Sequence, residues 1–267
     1  MGTNNDRPNP RTPYYINQSV VKAVAILRSF SKDTPQQTVK EISDRLMITR
    51  SVAQKLVLTL VDLGLLARDA ESRKYLVSPR VMEIASPFLH TSPLIVEGRS
   101  LVEKLVALTD MTCALGIRDG IETLYLVSVE AQASVKANSL SGERTPLHCT
   151  ATGKCLLAFT GEAELTGLLP SLALRRFTEH TIVDVDALKC ELERIRERGH
   201  AINLEERVVG LCGIAVPIHN ETGKVVAAIS VGIPKASVPR SQYAEMASKA
   251  SAIAKELEMS IDSHNLV

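Results

Sequence analysis

The chain of 267 residues contains no tryptophan, and aromatic residues make up only 3% of it. A protein that grips single strands by stacking bases needs several aromatic faces, and this composition argues against that class. Cysteine is scarce. The five, Cys113, Cys149, Cys155, Cys190 and Cys212, are odd in number and show no CxxC spacing, so a disulfide framework is not expected in a chain of this length. No run of 18 apolar residues occurs; the longest stretch, Val225 to Ile233, is interrupted by Ser230 and Gly232, so no transmembrane helix is expected. The first residues, with Pro8, Pro10 and Pro13 among Asn, Arg and Thr, lack the apolar core of a signal peptide. Together these absences point to a reduced, cytoplasmic protein.

Catalytic signatures are missing too. There is no GxSxG and so no nucleophile elbow. Gly153-Lys154 ends like a phosphate-binding loop, but Cys155 replaces the Ser/Thr and His148 the first glycine. The six histidines, at 90, 148, 180, 200, 219 and 264, show no HExxH. His148-Cys149 with Cys155 is a zinc candidate that a polar histidine and two small buried thiols explain better. The sequence therefore suggests a non-enzyme with no cofactor and no metal.

Net charge is also nearly absent, at +1 from 31 basic and 30 acidic residues. That balance is a cancellation. Residues 15–80 hold 11 Lys/Arg against 6 Asp/Glu, whereas residues 81–267 hold 18 against 23. A basic block joined to a larger acidic one hints at nucleic acid or membrane contact by the basic part. The length fits two domains, and 45% hydrophobic with 23% charged residues is ordinary for a globular protein.

Residues 1–14, rich in proline and polar residues, read as a disordered lead-in. Val20, Val24, Leu27 and Phe30 then recur at helical spacing until Asp33-Thr34-Pro35. Thr38-Val-Lys-Glu41 fits a capping box and opens a short helix to about Leu46. After a turn at Met47–Arg50, a second helix turns Ala53, Leu56, Val57 and Leu60 inward and closes at Gly64. Leu65–Ala67 and Lys74–Val77 read as two strands around the loop 69–73. This order is a winged helix-turn-helix over 15–80, with a linker helix at 81–95 and Ser86-Pro87 and Ser92-Pro93 as breaks.

Beyond it, Leu94–Leu108 is expected to be a helix with Val96, Leu101, Leu105 and Leu108 inward. Thr112–Arg118 and Thr123–Val129 form a hairpin through Asp119-Gly120, and Val135–Leu140 is a further strand candidate. Thr150–Phe159 and Asp184–Arg198 read as helices, His200–Leu204, Gly213–His219 and Val225–Ile233 as strands, and Pro239–Ile261 as a closing helix. Strands arriving mainly as hairpins, with helices grouped around them, indicate an α+β fold: a GAF/PAS-like α/β sensor domain with an antiparallel sheet over 96–267, not a doubly wound one.

In a helix-turn-helix the second helix enters the major groove of double-stranded DNA with its N-terminal residues facing base edges. The outward set is Arg50, Ser51, Gln54 and Lys55, with Thr49 at the cap and Thr38 at the start of the first helix of the motif. Arginine reads guanine and glutamine reads adenine, while lysine and serine hold phosphate. Arg68, Arg73 and Lys74 would place charge on the wing. The competing reading is a small helical interaction domain with a solvated polar face.

With these stretches in place, the chain resembles the IclR family of bacterial transcription regulators across about residues 15–263. The resemblance is carried by Ser19–Phe30; Ile42–Leu46 running on to Leu63-Gly64-Leu65; Pro146-Leu147-His148 with Gly153-Lys154 and Leu156-Leu157-Ala158; Glu205-Glu206 with Gly210; and Ile214–Pro217 with Ala227–Val231. It implies a winged helix-turn-helix and a C-terminal effector-binding domain, acting as a homodimer or homotetramer on operator DNA. The family usually has glycine at the turn and valine in the recognition helix, where Met47 and Ala53 stand here, so a tighter helical turn is expected.

The helix beginning near Thr150 offers amides at Ala151, Thr152 and Gly153 that suit an anion such as a carboxylate. The family's small-molecule pocket, carried over by resemblance, falls on Ala151, Thr152, Asn203, Gly213 and Ser230, with Gly153 beside them. Asn203 stands where many relatives have Asp, Gly213 where they often have Cys, and Gly232 where a second Ser occurs. The resemblance thus implies a less acidic and roomier pocket for a small organic acid or aromatic metabolite. Two other readings stand beside the ligand-responsive regulator: a metabolite sensor acting through protein contacts, and an enzyme acting on that metabolite.

Overall fold

The Asn17 side chain accepts a hydrogen bond from the Ser19 amide at 2.9 Å and so opens the helix α1, Gln18–Arg28. Of its apolar face only Ile26 is fully buried; Val20 and Val24, expected from their spacing to face the core, remain exposed. A two-residue strand β1, Gln36–Gln37, follows, too short to leave a sequence signal. The capping box forms as expected: the Glu41 amide donates to Thr38 Oγ1 at 3.2 Å and the Thr38 amide to Glu41 Oε2 at 2.6 Å. It starts α2, Val39–Leu46.

The turn after α2 is not a tighter helix. Met47 takes a left-handed conformation, with φ of 51°, which reverses the chain and lets Thr49 cap α3, Arg50–Asp62. Gly64, with φ of +74°, ends α3. The strands β2, Leu66–Arg68, and β3, Tyr75–Val77, complete a small antiparallel sheet in the order β1-β3-β2. Ile26, Val39, Ile42, Ala53, Val57, Leu60, Leu66 and Tyr75 form its core. Fully burying a large apolar side chain contributes roughly 1.5–3 kcal/mol, enough to hold three short helices that could not persist alone.

The computed structural model describes residues 16–131 and 141–261; the lead-in at 1–14 and the strand candidate at 135–140 lie outside the described residues. The chain divides into two compact units after Pro87. That boundary lies inside α4, Val81–Thr91. Pro87, one of the two expected breaks, sits within it, at the cost of one backbone donor.

In the second unit, α5, Pro93–Thr109, buries Leu94, Ile95, Gly98, Val102, Leu105 and Thr109. Its inner face is therefore offset from the expected one: Val96 and Leu108 are exposed. Next come β4, Thr112–Asp119, β5, Glu122–Val129, and the short β6, Arg144–Pro146. The helices α6, Ala151–Ala158, α7, Glu162–Leu168, and α8, Val185–Arg198, precede β7, Ala201–Leu204, β8, Leu211–His219, and β9, Val225–Pro234. A last helix, α9, spans Tyr243–Ser260. The six strands make one antiparallel sheet in the order β6-β5-β4-β9-β8-β7.

Alternation along the strands sorts side chains to two faces. Cys113, Leu115, Ile214, Val216, Ile229 and Val231 pack with α5 and α9 in one core. Ala215 and Ala228 face α6 and α8 in a second. Small residues on this second face leave room between sheet and α6, and the candidate ligand site lies there. None of the helices, among the described residues, is long and apolar enough to cross a membrane.

Candidate functional site

Two surfaces carry the residues singled out from the sequence. On the first unit, Thr49 Oγ1 accepts from the Val52 amide and fixes the start of α3. Ala53, Val57 and Leu60 turn into the core, which leaves Arg50, Ser51, Gln54 and Lys55 exposed on the opposite side. Among the described residues, neither Arg50 nor Lys55 has a carboxylate partner. Val52 is also exposed here; sequence reasoning missed it because it considered only polar groups, although an apolar side chain can contact a thymine methyl.

On the wing, Arg68 and Arg73 are exposed and Lys74 is half-buried. Asp69 organises the loop: its Oδ1 accepts from the Ser72 amide at 2.7 Å and the Ser72 hydroxyl at 2.6 Å, and these bonds hold its carboxyl below the usual range. Arg73 has φ of 57°. The Arg68 guanidinium lies over the Tyr75 ring at 5.8 Å. Thr38 differs from the rest, because its hydroxyl is already engaged with Glu41, accepting from the amide and donating to Oε2 at 2.8 Å.

On the second unit, a cavity of about 90 Å³ opens between the sheet and the first turn of α6. Five of the six expected residues, Ala151, Thr152, Asn203, Gly213 and Ser230, line it. Gly153 does not. Its amide donates to Thr150 Oγ1 at 3.0 Å, and its Cα presses on the preceding turn, where a Cβ would lie 2.4 Å from the Leu147 carbonyl oxygen. Gly153 is a packing glycine. With that amide capped, the amides of Ala151 and Thr152 are left facing the cavity end of the helix.

The other polar groups are partly committed. Asn203 Nδ2 donates to the Cys149 carbonyl at 2.6 Å and its Oδ1 accepts from the Glu206 amide at 3.3 Å. Tyr125 donates from its hydroxyl to Thr152 Oγ1 at 3.3 Å, and Ser230 from Oγ to the Ala114 carbonyl at 3.3 Å. Gly213 leaves open space beside α6: a Cβ there would meet the Ala151 Cβ at 3.4 Å, ordinary contact. Gly232, opposite it across the β8–β9 pair, also lines the cavity. Burial pushes the Cys149 thiol up to about 11, with the Arg207 guanidinium beside it pulling the other way. Thiolate chemistry is thus disfavoured.

The sequence reading missed Tyr125, Thr145 and Arg207, all of which line the cavity. They come from β5, β6 and the segment after β7, and only the strand pairing brings them to α6. As for zinc, His148 Nε2 donates to the Arg175 carbonyl at 3.0 Å and Cys155 is fully buried. Among the described residues no three His, Cys, Asp or Glu side chains converge.

Comparisons with known proteins cover both units. Residues 87–259 match the family model of the bacterial transcriptional regulator IclR C-terminal domain, and residues 19–70 that of the IclR helix-turn-helix domain. The transcriptional regulator KdgR of Dickeya chrysanthemi is 32% identical over 216 residues, covering 81% of this chain and 70% of that protein. The solved IclR transcriptional regulator from Alicyclobacillus acidocaldarius superposes with a TM-score of 0.82 at 22% identity, covering 92% of this chain and 99% of that one. An IclR homolog from Microbacterium hydrocarbonoxydans, solved in complex with 4-hydroxybenzoate, superposes with a TM-score of 0.76 at 23% identity, over 91% of this chain and 98% of that one.

Proposed function

The chain belongs to the IclR family of bacterial transcription regulators, and on that premise we propose how its two units act. α3 enters the major groove of an operator and reads bases through Arg50 and Gln54. Ser51, Lys55 and Thr49 hold phosphates, while Thr38 caps α2. The wing adds Arg68, Arg73 and Lys74 along the backbone. The cavity of the second unit takes a small organic acid, whose carboxylate accepts from the amides of Ala151 and Thr152 while Gly213 and Ser230 shape the wall. The protein works in the cytoplasm as a homo-oligomer, is not an enzyme, and couples the two ligands reciprocally.

The observation that carries this is the exposed Arg50 and Lys55 at the capped start of α3, without a carboxylate partner among the described residues, in a unit whose sequence is basic. The test is operator binding across a salt titration. A dimer making about 6–10 phosphate contacts loses roughly 10³–10⁵ in affinity between 50 and 200 mM salt. Salt-insensitive binding would overturn the reading.

A compact acid is favoured because the cavity, about 90 Å³, is smaller than the roughly 300–1,000 Å³ of a drug-sized ligand site. An aromatic acid is the second reading, favoured by the 4-hydroxybenzoate held by the Microbacterium homolog. A thermal-shift series of aliphatic and aromatic acids decides between them.

A further inference from the structure

We propose that the cavity is built for a dianion, a compact aliphatic acid with two acid groups, and that Arg207 holds the second of them. This deepens the reading of the cavity as the effector site and rests on it.

The first observation is charge. Among the described residues no aspartate or glutamate lines the cavity, whereas Arg207 does. The acidic residues beside it in the chain are committed elsewhere. Glu205 Oε2 accepts from Lys235 at 2.5 Å and Glu206 Oε1 from Lys154 at 2.5 Å. Among the described residues Arg207 has no carboxylate partner; its guanidinium rests over the Phe177 ring at 5.0 Å and against the Cys149 thiol. The wall therefore supplies one full positive charge, and the start of α6 adds about half a charge more. A half-buried guanidinium without an anion is an unfilled fork for a carboxylate or similar group.

The second observation is an orphaned hydroxyl. Thr145 is 4% exposed, its Oγ1 has no hydrogen-bond partner among the described residues, and it lines the cavity. That oxygen has almost no accessible surface, so an acid oxygen would accept from it once the side chain turns it toward the cavity. Asn203 cannot substitute for a charged partner, because its amide already bridges the Cys149 carbonyl and the Glu206 amide. A monoanion seated on the Ala151 and Thr152 amides leaves Arg207 unpaired, whereas a dianion satisfies both ends.

The test is calorimetric titration of the full chain at pH 7.5 with malonate and succinate against acetate and propionate. The proposal expects at least tenfold tighter binding of one dianion than of either monoanion. Arg207→Gln should weaken that dianion at least tenfold and the monoanions less than twofold, and Arg207→Lys should fall between. Retained monoanion binding shows that the variant is folded. Equal binding of both classes, or equal loss of both in Arg207→Gln, overturns the dianion assignment. Gly213→Leu, which fills the cavity, separates the two ideas. If it abolishes acid binding but dianions are not preferred, the effector site stands and the proposal fails. If acids bind regardless of this variant, or none binds, both fail.

Discussion

Lys154 Nζ lies 2.5 Å from Glu206 Oε1, and the two side chains are only 1% and 7% exposed. The same ammonium donates to the Ile202 carbonyl at 2.9 Å. This buried pair ties α6, whose first turn faces the cavity, to the segment that carries Arg207. Glu206 is under tension: burial pushes its carboxyl up, Lys154 pulls it down, and Oε2 has no partner among the described residues. Lys154→Met strands the carboxylate and should cost about 3–5 kcal/mol. At roughly 2–4 °C per kcal/mol for a unit of this size, the melting temperature should fall by about 10 °C. The double variant Lys154→Met/Glu206→Leu should recover most of it. Calorimetry of both checks whether the pair stabilises only as a pair.

Met47 is 93% exposed and left-handed, so its side chain contributes no packing while its backbone is strained by about 1–2 kcal/mol. Met47→Gly removes the strain but adds freedom to the unfolded chain, worth about 0.5–1 kcal/mol. The net expectation is a gain of about 0.5–1 kcal/mol. Urea unfolding of the helix-turn-helix transition, with unchanged operator affinity, would show it.

Much of this was legible in sequence because the signals were local. The Thr38–Glu41 box, the Thr49 cap, Gly64, Asp184 and Gly199 each act within a few residues, and helix and strand bounds followed. Met47 was not legible, since nothing local marks a methionine as left-handed. The face of α5 was misplaced because its apolar residues nearly encircle it, so only contact with β4, β5 and α9 decides that Leu94 and Val102 are inside and Val96 is out. The cavity was half legible: Thr152 and Ser230 follow from resemblance, but Arg207 and Thr145 depend on which strands pair.

Gly153 and Gly213 should separate folding from binding. Gly153→Ala forces a Cβ to 2.6 Å from the Leu147 Cα; backbone must move, and a loss of about 1–3 kcal/mol or more is expected. Gly213→Ala meets only ordinary contact, so stability should hold within about 0.5 kcal/mol. Its methyl intrudes on the cavity, however, and acid binding should weaken about tenfold, or ~1.4 kcal/mol. Parallel melting and titration experiments check the contrast.

His148 makes stability depend on pH. Burial lowers its affinity for a proton, the backbone bond to Arg175 opposes this, and the nearby Arg207 charge lowers it further. The folded ring stays neutral where the unfolded one, titrating near 6.5, is already protonated. The unfolded state then binds the extra proton, so stability is present above pH 6.5 and declines as pH falls below it. His200 is shifted the same way, by burial and by Arg198. Unfolding titrations at pH 7.5 and 5.5 should show a smaller difference for His148→Gln than for the parent chain, and an unchanged difference would refute the assignment.

On the reading helix and the wing, charge should act in two distinguishable ways. Arg50 stands at the first residue of α3, which the proposed reading sets against base edges, whereas Arg73 sits on a loop built by Asp69 and Ser72. Arg50→Ala should cost about 1–3 kcal/mol on the preferred operator, much less on scrambled DNA, and so relax specificity. Arg73→Ala should weaken all sequences alike and reduce the salt slope by about 1. Thr38→Val should act through folding rather than DNA, because its hydroxyl already bonds Glu41. Losing that cap costs about 1 kcal/mol of stability, with operator affinity per folded molecule unchanged. If Thr38→Val instead lowered affinity without lowering stability, the hydroxyl would have to leave Glu41 on binding, and the start of α2 would belong to the DNA contact.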